Sequence, residues 1–347
     1  MADKTYRVVQ WATGKVGAAA IRHFVENPAF VLAGVFVTDP EKVGKDAGAL
    51  SGIADVGVLA TDNVEAILAT EADCVHFAPA QQDIDMVCRL LRSGKNVVSP
   101  LGPFFPTERS AAAFAQIEAA CREGGTSFHG SGIHPGFAGD ILPLTLTRIM
   151  ERIDHIHVYE VVDQLANQSN YIDIMGFGRA CEDLLANPNR SADAPYFFAE
   201  SMELVAQTLG KRIEKLTTKL EVAAADHDIA HSRGVVKAGT VAGQHYEWTG
   251  WVDGRPFISY HFFWRMGESG MTPQWDCGPT GYRILVEGNP PMELRMPEPE
   301  AIRGETRYIS LWTAMAGVNM IPAVCDAEPG IVTHRELGLA CTQGQVR

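Results

Sequence analysis

The stretch Val8-Val9-Gln10-Trp11-Ala12-Thr13-Gly14-Lys15-Val16-Gly17-Ala18-Ala19-Ala20 constrains the chain more than any other. An apolar run over Arg7–Ala12 predicts a strand, a tight turn follows, and small residues predict a helix over Ala18–Glu26. The turn Ala12-Thr13-Gly14-Lys15-Val16-Gly17 has the G-x-G-x-x-G spacing with alanine in the first glycine slot. Gly14 lets a backbone approach a pyrophosphate, Gly17 lets helix and strand pack closely, and the helix start supplies free N–H groups and a positive dipole end. Thr13, Gly14, Lys15, Val16 and Gly17 are therefore candidate phosphate-binding residues.

The pattern continues as strand, helix, strand. Apolar runs at Phe30–Val37, Cys74–Ala78, Asn96–Ser99 and Thr126–Gly130 alternate with helical stretches at Asn63–Leu68, Gln82–Arg92 and from Pro106-Thr107 to about Arg122. This rhythm predicts an α/β domain with a doubly wound parallel sheet. Ligands of such sheets sit at the carboxyl ends of strands. Those ends are Ala12–Gly17, Thr38, Ala78–Ala80, Ser99–Pro103 and Gly130–Gly136, expected to form one cleft. An acidic residue in Thr38-Asp39-Pro40-Glu41-Lys42 would bond ribose hydroxyls and favour NAD. Thr38, Lys42 and Lys45 would instead hold a 2′-phosphate and favour NADP. A solvated turn is the plain alternative, so the cofactor reads as NADP or NAD. In Gly130-Ser131-Gly132-Ile133-His134-Pro135-Gly136-Phe137, His134 is a candidate proton donor or substrate-orienting group. Simple packing of His134 in a Gly/Pro turn is the alternative.

From Asp140 the pattern changes. Strand-like runs at Ile153–Val162, Lys215–Ala225, Gly234–Gln244 and Tyr282–Glu287 predict an α+β domain around a mostly antiparallel sheet. His245–Val252 and Phe257–Met266 flank Asp253-Gly254-Arg255-Pro256, a hairpin signal. On the second of these strands Ile258, Tyr260, Phe262, Trp264 and Met266 face one way, and Phe257, Ser259, His261, Phe263 and Arg265 the other. One face must be core; the second lines a pocket, meets a partner chain or is core too. A helix expected over Glu305–Asn319 reads as a return to the first domain, and Glu328–His334 as a surface wrap. The expected division is a dinucleotide domain at 1–138, a substrate and dimerisation domain at 139–304, and a returning tail at 305–347.

The 347 residues carry a net charge of −13 and no basic run, which gives no footing for nucleic acid. The seven cysteines are odd in number and form no metal-type pair, which points to a reducing, cytoplasmic setting. The first strand starts close to Met1, so no signal peptide is expected. No apolar run approaches the roughly 18 residues of a membrane span. No His/Asp/Glu cluster has ligand spacing, so no metal is expected.

Five stretches together carry a more specific signal. They are Val8–Gly17, Asp39–Gly48, Gly130–Gly136, Ala238–Gln244 and Asn319–Val324. With them the chain resembles, over almost its whole length, the group of 2,4-diaminopentanoate dehydrogenase and the native amine dehydrogenases, often labelled dihydrodipicolinate reductase-like. The resemblance implies a Rossmann domain, a dihydrodipicolinate-reductase-like second domain, and a homodimer built through the second-domain sheets. It implies NAD(P)-dependent hydride transfer at an amine/imine or ketone carbon. By motif match, Gly14–Gly17 would take the pyrophosphate, and Ala78, Pro79 and Ser99 would border the ribose and nicotinamide. Asn319 and Pro322 would approach the nicotinamide. Phe137 and the loop Tyr171–Phe177, with Met175, would border the substrate. Amine-active members of the group carry a glutamate in the loop after the Asn96–Ser99-type strand. Here that loop is Pro100-Leu101-Gly102-Pro103-Phe104-Phe105-Pro106, without a carboxylate, and Glu108 follows at the expected start of the next helix.

The expected activity is that of an oxidoreductase acting on the C=N or C=O carbon of a small-to-medium apolar molecule. The apolar loop at Leu101 excludes water, and the proton handler is His134, then Glu108 or Tyr171. A carbonyl reductase on the same scaffold and a non-catalytic NAD(P)-binding sensor are the alternatives.

Overall fold

The structure is a computed structural model and describes residues 4–167, 171–186, 194–299 and 308–337. The chain divides into two compact units, Met1–Phe137 with Glu305–Arg347, and Ala138–Gly304.

The first unit runs β1 (Tyr6–Trp11), α1 (Lys15–Glu26), β2 (Phe30–Phe36), α2 (Ala47–Ser51), β3 (Ala60–Thr61), α3 (Val64–Ala69) and β4 (Cys74–Phe77). It continues through α4 (Ile84–Arg92), β5 (Asn96–Ser99), α5 (Ala111–Gly124) and β6 (Ser127–Gly130). The strands lie in the order β6-β5-β4-β1-β2-β3, all parallel. Their apolar side chains serve two cores, as a sheet covered on both faces requires. On one face Ala19, Ala20, Ile21 and Phe24 of α1 meet Val8, Val35 and Val98. On the other, Ile67, Leu90, Leu91 and Ile117 of α3, α4 and α5 meet Val9, Val75 and Val97.

Helix α5 starts later than the sequence predicts. Residues 106–110 form a turn in which the Thr107 and Ser110 hydroxyls bond each other at 2.9 Å, so the helix begins only at Ala111. The C-terminal segment also differs from expectation. Helices Tyr308–Val318 and Ile321–Cys325 complete the α1 face through Ala314, Val318, Ile321 and Val324. Residues 305–307, part of the expected helix, lie outside the described residues. The expected surface wrap is instead a seventh strand: Gly330–Ile331 pairs in parallel with β6, and Val332 N–H donates to the Phe128 carbonyl at 2.9 Å. Ser127 and Phe128 expose an unpaired edge there, and pairing satisfies it. By length and composition Tyr308–Cys325 is apolar enough to cross a membrane, which corrects the sequence expectation. It is broken after Val318 and buries Ala314, Gly317, Val318, Ile321 and Val324 in the first unit.

The second unit runs α6 (Ile141–Thr147), β7 (Arg152–Asp163), α7 (Tyr171–Met175), α8 (Cys181–Ala186), α9 (Ala194–Thr208) and β8 (Lys215–Ala225). It continues with β9 (Ile229–His231), β10 (Gly234–Val236), β11 (Val241–Val252), β12 (Arg255–Arg265), β13 (Met271–Thr272), β14 (Gly281–Asn289) and β15 (Met292–Pro297). The expected single strand Gly234–Gln244 is split, because β10 turns back on β9 before β11 begins. The main sheet, β13-β8-β11-β12-β7-β14-β15, is antiparallel except for the parallel pair β12 and β7. Asp253 and Gly254, both with positive φ, make the β11–β12 turn that the sequence signals. The face carrying Ile258, Tyr260 and Phe262 is core: Phe198 of α9 packs on Phe262 and Trp248 with ring centroids 4.4 and 4.9 Å apart. Tyr260 is pinned there by its hydroxyl, which donates to the Gly139 carbonyl at 2.9 Å.

Candidate cofactor-binding site

The chain leaves β1 through Ala12, whose φ is +71°. The alanine thus holds the left-handed backbone that a glycine would adopt freely, at a strain of about 1–2 kcal/mol. Buried side chains beneath the turn hold it there. Gln10 Nε2 donates to the carbonyls of Trp11 and Ala12, each at 3.0 Å. Its Oε1 accepts from His76 Nδ1 at 2.8 Å, and both residues are fully buried.

The two glycines serve different ends. A Cβ on Gly17 would stand 2.1 Å from the Ala12 carbonyl oxygen, so helix α1 docks on the turn only with glycine there. Gly14 has an ordinary φ of −67°, and a Cβ on it would meet no atom within 4 Å. Neither strain nor packing demands glycine at 14; what it keeps clear is the space over the turn. Gly14 caps α1 without a side-chain bond, and the first turn of α1 holds no acidic residue. The open N–H groups and dipole end are what a pyrophosphate needs, so the residues present fit a dinucleotide.

The other candidates fall around this turn. β1 pairs with β2 on one side and β4 on the other, which makes the β1/β4 boundary the point where strand order reverses. Ala78, at the β4 end, donates its N–H to the Trp11 carbonyl at 3.2 Å, and Pro79 follows, half-buried. At the β2 end Thr38 is exposed, and Lys42 Nζ donates to Thr13 Oγ1 at 3.3 Å. Asp39 is exposed, and its Oδ1 accepts from the Glu41 N–H at 3.0 Å. Ser99 is buried; its Oγ accepts from the Leu101 N–H at 3.2 Å, and its carbonyl accepts from the Ser131 N–H at 3.0 Å. Asn319 ends the helix Tyr308–Val318, half-buried, and Pro322 is buried in the next. Two residues earlier, a Cβ on Gly317 would lie 3.1 Å from the Ser131 carbonyl oxygen and 3.4 Å from His76 Nε2. That helix therefore lies tight on β4 and β5.

The proposed chemistry residues are more scattered. His134 sits in the turn after β6, half-buried, with its Nε2 out of contact with solvent. Glu108 is exposed in the turn before α5, rather than on a helix start. Leu101 is half-buried, and its carbonyl accepts from Gln82 Nε2 at 3.1 Å. Phe137 is half-buried at the end of the first unit. Tyr171 opens α7, but its side chain lies outside the described residues. Met175 and Phe177 pack into the second unit's core with Ile172, Leu184, Val241 and Met266. Both were expected to border the substrate, and here their side chains are buried among residues of α7, α8, β8 and β11.

Sequence reasoning missed Gln10 and His76. The signal was present: each is a polar residue inside an apolar strand run of a sheet buried on both faces. His76 also makes the site sensitive to acid. Burial pushes its imidazole down to about 4, against about 6.5 in the unfolded chain. Between those values the unfolded chain takes up a proton that the folded chain refuses, so stability falls as pH drops from 6.5 towards 4. The loss is about 3 kcal/mol for His76 alone. Urea midpoints measured from pH 7.5 to 4 should fall through that window and fall less in His76→Gln. A flat profile would contradict the buried, neutral imidazole.

A parallel sheet in the 3-2-1-4-5-6 order, with a glycine turn over an open helix start, defines a Rossmann-type nucleotide-binding protein. Residues 8–121 match the model of the dihydrodipicolinate reductase N-terminus, and residues 137–346 that of the 2,4-diaminopentanoate dehydrogenase C-terminal domain. The chain is 30% identical to an amine dehydrogenase of Streptomyces virginiae, across 97% of this chain and 98% of the relative. It is 26% identical to a 2,4-diaminopentanoate dehydrogenase of Acetoanaerobium sticklandii, across 67% and 63% of the two chains. The solved amine dehydrogenase of Mycobacterium smegmatis shares its fold, with a TM-score of 0.82 over 98% of both chains at 20% identity. The chain belongs to the 2,4-diaminopentanoate dehydrogenase family and is an NAD(P)-dependent oxidoreductase.

Proposed function

We propose that the protein interconverts an amine and its imine, moving hydride between NAD(P) and the C=N carbon of a small-to-medium, largely apolar substrate. The observation that carries this is the near full-length likeness to a protein named amine dehydrogenase, joined to an open Gly14 turn. Bound NAD(P) supplies or accepts the hydride. The chain supplies the rest: the α1 start binds the pyrophosphate, Ala78, Pro79, Ser99, Asn319 and Pro322 border the ribose and nicotinamide, and Leu101 and Phe137 turn apolar surface to the substrate. His134 is the proposed proton route, and full turnover in His134→Ala would remove it from that role. A second reading, ketone reduction to an alcohol, is favoured by residues 100–106, where no carboxylate stands to handle an amine proton. Oxidation of NADH or NADPH by a ketone panel, with and without ammonia, separates the two. Oxidation only with ammonia supports amine chemistry, oxidation without it supports ketone reduction, and tight binding with no oxidation by any substrate supports a sensor.

For the cofactor, Lys42 beside Thr13 favours the 2′-phosphate of NADP. A charge-assisted bond of this kind is worth about 1.5–3 kcal/mol. Lys42→Ala should therefore raise the Kd for NADPH roughly 10- to 100-fold while leaving that for NADH nearly unchanged. Equal weakening of both would sink this assignment. We also propose a cytoplasmic homodimer through the face of the second sheet that bears Phe257, His261 and Phe263; a monomer mass in light scattering would refute the dimer.

A further inference from the structure

The same face of the second sheet carries histidines that the oxidoreductase reading does not use. His155 and His157 alternate on β7 and so share a face, and Glu287 lies directly across from His155 in the β14 register. One ligand atom from each of the three falls within 4.8 Å of the other two. Chain spacing does not reveal this trio, because the pairing of β7 with β14 joins residues far apart in the chain.

We propose that His155, His157 and Glu287 form a binding site for one borderline divalent transition-metal ion such as Zn²⁺ or Co²⁺. Two imidazoles and a carboxylate are the ligand types that such ions take from proteins. The outer bonds point the same way. His155 Nε2 lies 2.9 Å from Ser259 Oγ, and His157 Nδ1 lies 3.2 Å from His261 Nε2. When those nitrogens carry the protons and donate, the lone pairs left are on His155 Nδ1 and His157 Nε2. His157 Nε2 stands 3.6 Å from Glu287 Oε1. A ligating histidine that donates its other N–H to a neighbour is the usual arrangement around such ions. The two imidazole centroids lie 3.9 Å apart, with the ring planes tilted by 39°. A common ion would hold the three donors at about 2.0–2.2 Å. In the single chain the Glu287 side chain is 54% exposed and that of His157 15%, on the face that the proposed dimer would cover. The nearby cation Arg283 is engaged over the Tyr159 ring at 3.9 Å and paired with Glu293. All three ligands come from one chain, and none takes part in the proposed hydride chemistry.

The test is titration of tag-free, metal-stripped full-length protein with Co²⁺, read by visible d–d absorption and by equilibrium dialysis. One Co²⁺ per chain is expected, displaced by Zn²⁺. Affinity should fall at least about tenfold in Glu287→Gln and in His157→Gln, with NADPH binding unchanged as proof that both variants fold. No stoichiometric binding, binding that survives both substitutions, or a thiolate-to-cobalt charge-transfer band would overturn the site.

Discussion

Replacing Gly17 by alanine is expected to abolish NAD(P) binding and to destabilise the first unit together. The added methyl would sit 2.1 Å from the Ala12 carbonyl oxygen, a backbone atom that cannot swing aside. That carbonyl is held in turn by Gln10 Nε2 at 3.0 Å, so relieving the clash means pulling α1 away from β1 or breaking the buried Gln10–His76 pair. Overpacking of this kind costs about 1–3 kcal/mol or more, and roughly 2–4 °C of Tm is lost per kcal/mol in a domain of this size. A fall of about 5–10 °C in Tm, with no saturable quenching of tryptophan fluorescence by NADH or NADPH, is the expected result. An unchanged Tm would mean that the helix does not rest on the Ala12 carbonyl.

Gly14→Val should separate the two losses. Here the added Cβ has no protein atom within 4 Å, the backbone is ordinary, and α1 keeps its start. Stability should stay within about 1 kcal/mol, as for a substitution that touches no core. The side chain would occupy the space over the turn, where a pyrophosphate must lie within hydrogen-bond reach of the first N–H groups of α1. Loss of that contact should raise the Kd for both cofactors about 100-fold or more, equivalent to roughly 2.7 kcal/mol. Wild-type affinity for NADH and NADPH in this variant would place the dinucleotide elsewhere. Gly17→Ala thus tests the scaffold, and Gly14→Val tests the ligand space alone.

Much of the first unit was legible before any coordinates. Short apolar runs punctuated by Gly94, Gly124-Gly125 and the Ala12–Gly17 turn mark strand and helix ends through local chemistry, and the order of elements follows from them. The Asp253-Gly254 hairpin was legible for the same reason. The errors have a common source. Glu328–His334 looks like a surface tail until one sees that β6 would otherwise be an open edge. The Thr107–Ser110 turn delays α5 by a side-chain bond that periodicity does not register.

By itself, the sequence determined that a parallel α/β unit opens the chain, that Gly14 and Gly17 shape the tight turn between its first strand and helix, and that an α+β unit follows. Those properties rest on side-chain period, glycine backbone freedom and turn chemistry within a few neighbouring residues. Only the tertiary structure decided that Gln10 and His76 carry the strained Ala12 and that Lys42 reaches Thr13. The same holds for Tyr308–Cys325, which lies on the first sheet, and for Glu287, which stands across from His155. Each of these depends on strand register or helix docking, which brings distant residues to hydrogen-bond range, and spacing along a single chain does not encode such distances.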